Sequence, residues 1–299
     1  MYKLTKPDGT DFYSDSINYA ENVGKIVRIT DYEGPEVGLF GKGIHAAYDP
    51  NDAFIGEVVI PCRVFKVHGI QRIMGNRRRV RYQAAKVIEE ITDLDKLFGW
   101  KYSEVITPMN PFEIKCPKIT DEHIALLNRW APIRKSVWWS VHHSTRYSRY
   151  PILQGTILDW IWETLESPII KTKTGAWAWT WGKSNYVPPE FCLRPIWKPL
   201  WESILIPIQM SIQSTDRMSK ALVYGSVSDF VRAYTGSFFL NIKEWRYIEH
   251  EPSEYPFQLA VDLWKQGLVP SFDGKIWRLH SKDGIVWSSR CAYLKGFKA

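Results

Sequence analysis

The sequence predicts an α+β N-terminal domain, then a β-rich tetrapeptide-repeat domain of solenoid-like build, then a small C-terminal cap of one helix and a β-hairpin. Three observations predict it. Residues 1–116 carry alternating strand signals punctuated by turns, residues 136–237 count in fours with insertions, and residues 238–299 hold one amphipathic run followed by two Asp-Gly turns. Residues 117–135 connect the first two regions.

In the N-terminal region, residues 2–4, 25–30, 58–67 and 80–87 are rich in β-formers. Pro7-Asp8-Gly9 and Tyr32-Glu33-Gly34-Pro35 supply turn chemistry between them. Residues 49–54 and 93–98 each begin with an Asp able to accept from the free amides of a helix start, so both are predicted as short helices. Gly75-Asn76 reads as a hairpin turn. A Pro-rich link from Thr107 to Pro117 closes the region.

The fours begin at Ser136. Ser136, Ser140, Ser144, Ser148, Thr156, Thr164, Pro168, Thr172, Ala176 and Thr180 open the units, and Val137, Val141, Ile157, Ile161, Leu165, Ile169, Trp177 and Trp181 follow them. The pattern returns at Ser203-Ile204, Pro207-Ile208 and Ser211-Ile212, then at Val223, Val227, Val231 and Thr235. Residues four apart drift by roughly 40° per step on an α-helix, so one long helix could not keep that stripe on one face. Several short helices could each carry three or four units. Frequent Thr, Ile, Val and Trp, with Pro151 and Pro168, favour a β-solenoid whose second-position residues Val141, Ile157, Ile161 and Leu165 point into one core. The stretch from Ser219 to Thr235 is the part most open to being a helix.

In the cap, Phe257, Ala260, Val261 and Trp264 fall at helical spacing ahead of Gly267. The turns at Asp273-Gly274 and Asp283-Gly284 then separate three strand-like runs. Asp273 and His280 invite a catalytic reading, but Asp-Gly there is ordinary turn chemistry.

The 299 residues carry a formal net charge of +7 and 15 Trp. Such a charge permits contact with nucleic acid or an anionic surface without establishing it. No apolar run reaches the ~20 residues of a membrane span. MYKLTKPDGTDFY lacks the apolar core of a signal peptide, which predicts a cytoplasmic location, in a host cell or with a virion. Cys62, Cys116, Cys192 and Cys291 show no CxxC pair, and adjacent His142 and His143 would face opposite sides of a strand, so no metal site is predicted. Arg77, Arg78, Arg79 and Arg81, beside Arg72, form the dense basic cluster. They read either as a solvated hairpin tip or as a phosphate-binding finger, with no aromatic platform adjacent in sequence.

Gly43, Ile44, His45, Ala46 and Pro50 resemble an uncharacterised domain of phage and bacterial proteins with a G-F-H-A-x-x-x-P motif, a likeness that extends to residues 86–90 and brings no known activity. Residues 40–47, Phe-Gly-Lys-Gly-Ile-His-Ala-Ala, also resemble the nicotinamide-binding strand of the poly(ADP-ribose) polymerase branch of ADP-ribosyltransferases. That resemblance implies NAD as cofactor, held by Gly41, Gly43 and His45, with Glu89 as the catalytic carboxylate and Glu57 and Glu90 as other candidates. The family's early-strand His or Arg has no counterpart in Tyr2-Lys3-Leu4. The tetrapeptide units followed by V-P-S-F-D-G-K-x-W-R-L-H resemble further uncharacterised phage and metagenomic proteins.

No phosphate loop, nucleophile elbow or paired acid is present in the sequence. The expected function is therefore a non-enzymatic viral or mobile-element interaction protein with a protein partner or self-association, without cofactor. The two alternatives are an NAD-using transferase at residues 38–54 and a nucleic-acid binder at residues 72–81.

Overall fold

A computed structural model of the chain describes residues 1–14, 16–54, 58, 60–146, 190–212, 216–240 and 255–289. The described residues divide into two compact units, residues 1–106 with the start of the helix at 190, and residues 107–146 and 194–289.

The first unit is built on strands β1 (Tyr2–Thr5), β2 (Ile26–Arg28), β3 (Ile44–Ala47), β4 (Arg63–Gly75) and β5 (Arg79–Ile91). All pairings are antiparallel, and they close a circuit: β5 pairs β3, β3 pairs β1, β1 pairs β4, and β4 pairs β5, with β2 beside β3 on one edge of β5. Closure removes the open strand edges that would otherwise present unpaired amides.

Period-two alternation sets the faces. Ile44 and Ala46 lie opposite Tyr82 and Val80 and pack into the core with Val27, Phe65, Val67, Ala85 and Val87. His45 and Ala47, opposite Arg81 and Arg79, must therefore face away from that core.

Both Asp-capped helices form. Asp49 accepts from the Asn51 amide at the head of a 3-10 turn, Pro50–Ala53, and Asp93 accepts from the Lys96 amide at the head of helix α1 (Leu94–Phe98). A second aromatic cluster, Phe54, Phe98, Trp100 and Tyr102, pins the 3-10 turn in place. There the Trp100 indole donates to Asn51 Oδ1 at 2.9 Å, and the Asn51 amide donates to the Phe98 carbonyl at 3.0 Å. Helix α2 (Tyr102–Ile106) completes the unit.

The second unit does not form a solenoid in its described residues. Ser136 lies on α3 (Asp121–Arg146), an unbroken helix that crosses the expected boundary at residue 136 and carries His142 and His143. The later fours lie on α4 (Glu190–Ser211) and α5 (Arg217–Gly236). Ile157, Ile161 and Leu165 lie outside the described residues, as does the side chain of Val141.

The physical reason for the helices is local. Three steps of four residues sweep only about 120°, the width of an ordinary buried stripe. Val137, Ile204, Ile208, Val223, Val227, Val231 and Thr235 are all buried accordingly. The opening hydroxyls suit a helix too: Ser136, Ser203 and Ser211 each donate to the carbonyl three residues back, at 2.6, 2.7 and 2.8 Å. Pro132, Pro199 and Pro207 sit on exposed positions, where water can take the carbonyls they free.

Helix α6 (Gln258–Lys265), with Gly267 at φ 77° beyond it, and the three-stranded antiparallel sheet β6 (Val269–Phe272), β7 (Trp277–Ser281) and β8 (Gly284–Ser288) follow as the spacing predicts. Trp264 stacks on Tyr234 with ring centres 4.1 Å apart, and Trp130 meets Phe230 edge-on, so α3, α5 and α6 share one aromatic core. Cys62 is buried and Cys116 half-buried. Among the described residues no helix is long and apolar enough to cross a membrane.

Candidate functional site

His45, in the middle of β3, lines a cleft on the outer side of the barrel core. The cleft is partly open to solvent. Its walls are mostly apolar, from Leu4, Leu39, Ala46, Ala47, Ala53 and Val58, and its polar lining comes from Lys3, Tyr13, His45, Asp52 and Arg79.

Lys3 and Asp11 form a buried ion pair, 2.7 Å between Nζ and Oδ2, with side chains only 4% and 3% exposed. The pair is reinforced by the Tyr13 amide donating to Asp11 at 2.8 Å and by the Tyr13 and Tyr19 rings near the ammonium. Burial would push the Asp11 carboxyl up, yet the Lys3 charge and these hydrogen bonds outweigh it and hold the carboxyl below its usual range.

The His45 ring is equally settled. Nε2 lies 2.8 Å from the Gly41 carbonyl, which can only accept, so Nε2 carries the proton and Nδ1 keeps its lone pair. Burial, with the Lys3 charge, lowers the imidazole to about 4, against the opposing effects of the Gly41 bond and Asp11. His45 is thus neutral near pH 7 and too weak a base to take a proton efficiently there.

The glycines flanking His45 serve Arg81. A Cβ on Gly41 would lie 2.0 Å from the Arg81 Nη1, and one on Gly43 would lie 2.6 Å from its Cγ. Arg81 is fully buried and donates to the carbonyls of Lys42 and Gly34. The Gly-x-Gly that resembles a nicotinamide cradle is therefore filled by an arginine of this chain.

The proposed carboxylate does not reach His45. Glu89 sits eight residues along β5 from Arg81, the partner of His45, so roughly 25 Å of strand separates them. Its oxygen pairs with Lys66 at 3.1 Å on the surface, while Glu90 makes a two-pronged pair with Arg63. Glu57 lies outside the described residues. The residues present do not fit NAD in the manner of the transferases.

The basic cluster separates into three. Arg77 and Arg78 are exposed at the hairpin tip, Arg79 turns to the cleft and donates from Nε to the Asp52 carbonyl at 2.7 Å, and Arg81 is interior. Arg77 and Arg78 belong to the turn before β5, whereas Arg79 and Arg81 share one face of the strand and are drawn to different backbone carbonyls, so the four cations do not form one patch.

Lys3, Asp11, Tyr13 and Asp52 escaped the sequence reading. The one signal for Lys3 was a cation inside a short apolar strand. Asp11 follows the Pro7-Asp8-Gly9 turn that folds it back toward β1.

At the cap, Asp273 accepts from two turn amides and from Arg278, and His280 is sealed between Ser271 and Ser211. Among the described residues no group of three or more His, Cys, Asp or Glu is placed to hold a metal ion. Comparison with protein-family models, with curated proteins and with solved structures gives no match to this chain.

Proposed function

We propose that this protein is an interaction protein whose N-terminal barrel holds an apolar side chain of a protein partner in the cleft beside His45, without transforming it. One observation carries the reading: the ionisable groups at the centre of the cleft are already committed to the fold. Lys3 is paired with Asp11, and His45 is tied to Gly41 and neutral, while apolar walls surround them. A cleft of apolar walls with a few fixed polar groups suits recognition of one side chain and its neighbouring amide. The amide N–H of the partner would donate to His45 Nδ1.

Selection of a random-peptide display library against the full chain tests the idea. The enriched peptides are expected to share one large apolar or aromatic residue and to lose at least tenfold in affinity for an Ala53→Trp variant that fills the cleft. Affinity for His45→Phe, which lacks the acceptor, should fall as well. Absence of a shared apolar residue, or equal binding by Ala53→Trp, would overturn the proposal. So would release of nicotinamide from NAD that disappears in His45→Ala.

A further inference from the structure

Two arginines of the barrel present the same edge to different partners. Arg63, on β4, offers Nε and Nη2 to the two oxygens of Glu90, at 2.7 and 2.6 Å. That two-pronged grip satisfies guanidinium and carboxylate together. Arg81, on β5, is 0% exposed, and the same edge is only half used. Its Nη2 donates to the Gly34 carbonyl, and its buried Nε has no partner. Its remaining bond runs from Nη1 to the Lys42 carbonyl, at 3.2 Å. Among the described residues no carboxylate pairs with it. A buried cation without a counter-ion is costly, and buried charges are ordinarily paired.

Gly34 and Lys42 belong to one loop laid over Arg81, residues 33–42. Its neck is closed twice: the Glu33 amide donates to the Lys42 carbonyl at 3.2 Å, and the Lys42 amide donates to the Glu33 carboxylate at 2.7 Å. The Gly41 end is held firmly, because His45 Nε2 donates to the Gly41 carbonyl and Arg81 fills the space where a Gly41 Cβ would stand.

The Gly34 end is held lightly. None of residues 31–39 is buried, and Pro35, Glu36 and Val37, which open the 3-10 helix Pro35–Phe40, are exposed. Among the described residues, the Gly34–Arg81 bond is the only hydrogen bond from residues 34–39 to the barrel. Segments with so little buried surface are the ones that open locally while the rest stays folded. Gly38, at φ 79° with open space around it, supplies a pivot.

We infer that the Nε–Nη2 edge of Arg81 is a carboxylate-binding fork, covered by the Gly34 end of this loop, which lifts so that a carboxylate of the protein partner replaces the Gly34 carbonyl. His45 is the strand partner of Arg81, Gly41 lies against both, and Leu39 of the same loop lines the cleft. The carboxylate therefore belongs to a residue beside the apolar side chain held in the cleft, and in that respect the inference rests on the cleft being a peptide site. Two acidic residues of the loop set the class of anion. The Glu33 carboxylate lies beside Gly41 and that of Glu36 beside Gly34, so a doubly charged phosphate is disfavoured more than a singly charged carboxylate.

Phenylglyoxal, which modifies arginine side chains, tests it on the full chain, with the label at Arg81 read by peptide mass mapping. Arg81 should be labelled faster than the chain unfolds, the unfolding rate being read from tryptophan fluorescence after a urea jump and extrapolated to the same buffer. Saturating N-acetyl-L-phenylalanine should slow that labelling about tenfold, and N-acetyl-L-phenylalaninamide, which lacks the charge, should barely slow it. N-acetyl-aspartyl-phenylalaninamide carries its carboxylate on a side chain instead. Protection by one acid rather than the other says whether a chain end or an acidic side chain is taken, and either supports the fork. Ala53→Trp, which fills the cleft, separates the two readings. Protection lost in that variant supports the joint site, and protection that survives leaves the fork standing without the cleft. Equal protection by the amide would leave the cleft and remove the fork. Stronger protection by inorganic phosphate than by either acid, or labelling no faster than unfolding, would also overturn it.

Discussion

His45 and His280 occupy closely similar chemical settings and opposite relations to solvent. Each ring places Nε2 against an oxygen of its own unit, the Gly41 carbonyl in one case and the Ser271 hydroxyl in the other, at 2.8 and 2.7 Å. Each imidazole is lowered by burial and then by a neighbouring cation: His45 to about 4 beside Lys3, and His280 to about 3 beside Arg278. Yet His45 lines an open cleft, whereas His280 is 1% exposed with Ser211 Oγ at 3.5 Å from its second nitrogen. A depressed histidine marks burial. What makes one of the two a candidate site is the open wall beside it.

The comparison can be broken most sharply by deletion. His280→Ala should cost about 3 kcal/mol in urea unfolding, because it leaves the buried Ser271 hydroxyl without a partner and opens a void. His45→Ala should cost about 1 kcal/mol or less, since water can enter the cleft. Equal losses would show that the two sites are sealed alike.

A smaller effect concerns the wall under His45. Gly41→Ala should cost about 2 kcal/mol by forcing the Arg81 guanidinium aside. In the Arg81→Ala background the same change should cost much less, and a double-mutant cycle measures the difference. Additive losses would separate the glycine from the arginine.

Acid sharpens the contrast further. Both histidines have folded values below the unfolded value near 6.5, so the unfolded chain binds more protons below that pH. Their contribution to stability is whole above about pH 6.5 and is lost as pH falls, through about 4 for His45 and about 3 for His280. Asp11, held below its usual range by Lys3, adds a loss of the same sign once pH falls below the ordinary carboxylate value of about 3.9. Melting temperature should therefore fall between pH 7 and pH 4, and His280→Gln should flatten that fall. The smallest effect is expected at the tip, where Arg77→Gln should change stability by less than about 0.5 kcal/mol.

Strands and caps were legible where a local rule decides the outcome. Asp49 and Asp93 announce helix starts because no tertiary contact is needed for a carboxylate to accept a nearby amide. Phe257, Ala260, Val261 and Trp264 announce α6 because their spacing fits one face alone. The fours of α3 and α4 misled because β-branched residues and prolines weigh against a helix in propensity, whereas burial of Val137, Ile204 and Ile208 outweighs propensity; the stretch from Ser219 to Thr235, the part most open to a helix, lies in α5. The cleft was half legible. His45 stood out through its glycines, but their reason, Arg81, lies on another strand, and Lys3 and Asp11 meet only after a turn and a loop have been folded.

The closed circuit of strands bears on how the chain is made. β4 and β5 are neighbours joined by a tight turn, so they can pair as soon as residue 91 is available. β1 cannot. It meets β3 at one pair, Tyr2 opposite Ala47, but its full ladder, Tyr2 to Thr5 opposite Lys66 to Arg63, is with β4 and must wait for that strand. The β4–β5 hairpin is therefore expected to form as a local unit, with the β1–β4 ladder joining it across more than fifty residues of chain. Folding of this unit should be paced by that long-range closure, because distant contacts are rewarded only after the entropy of loop closure has been overcome.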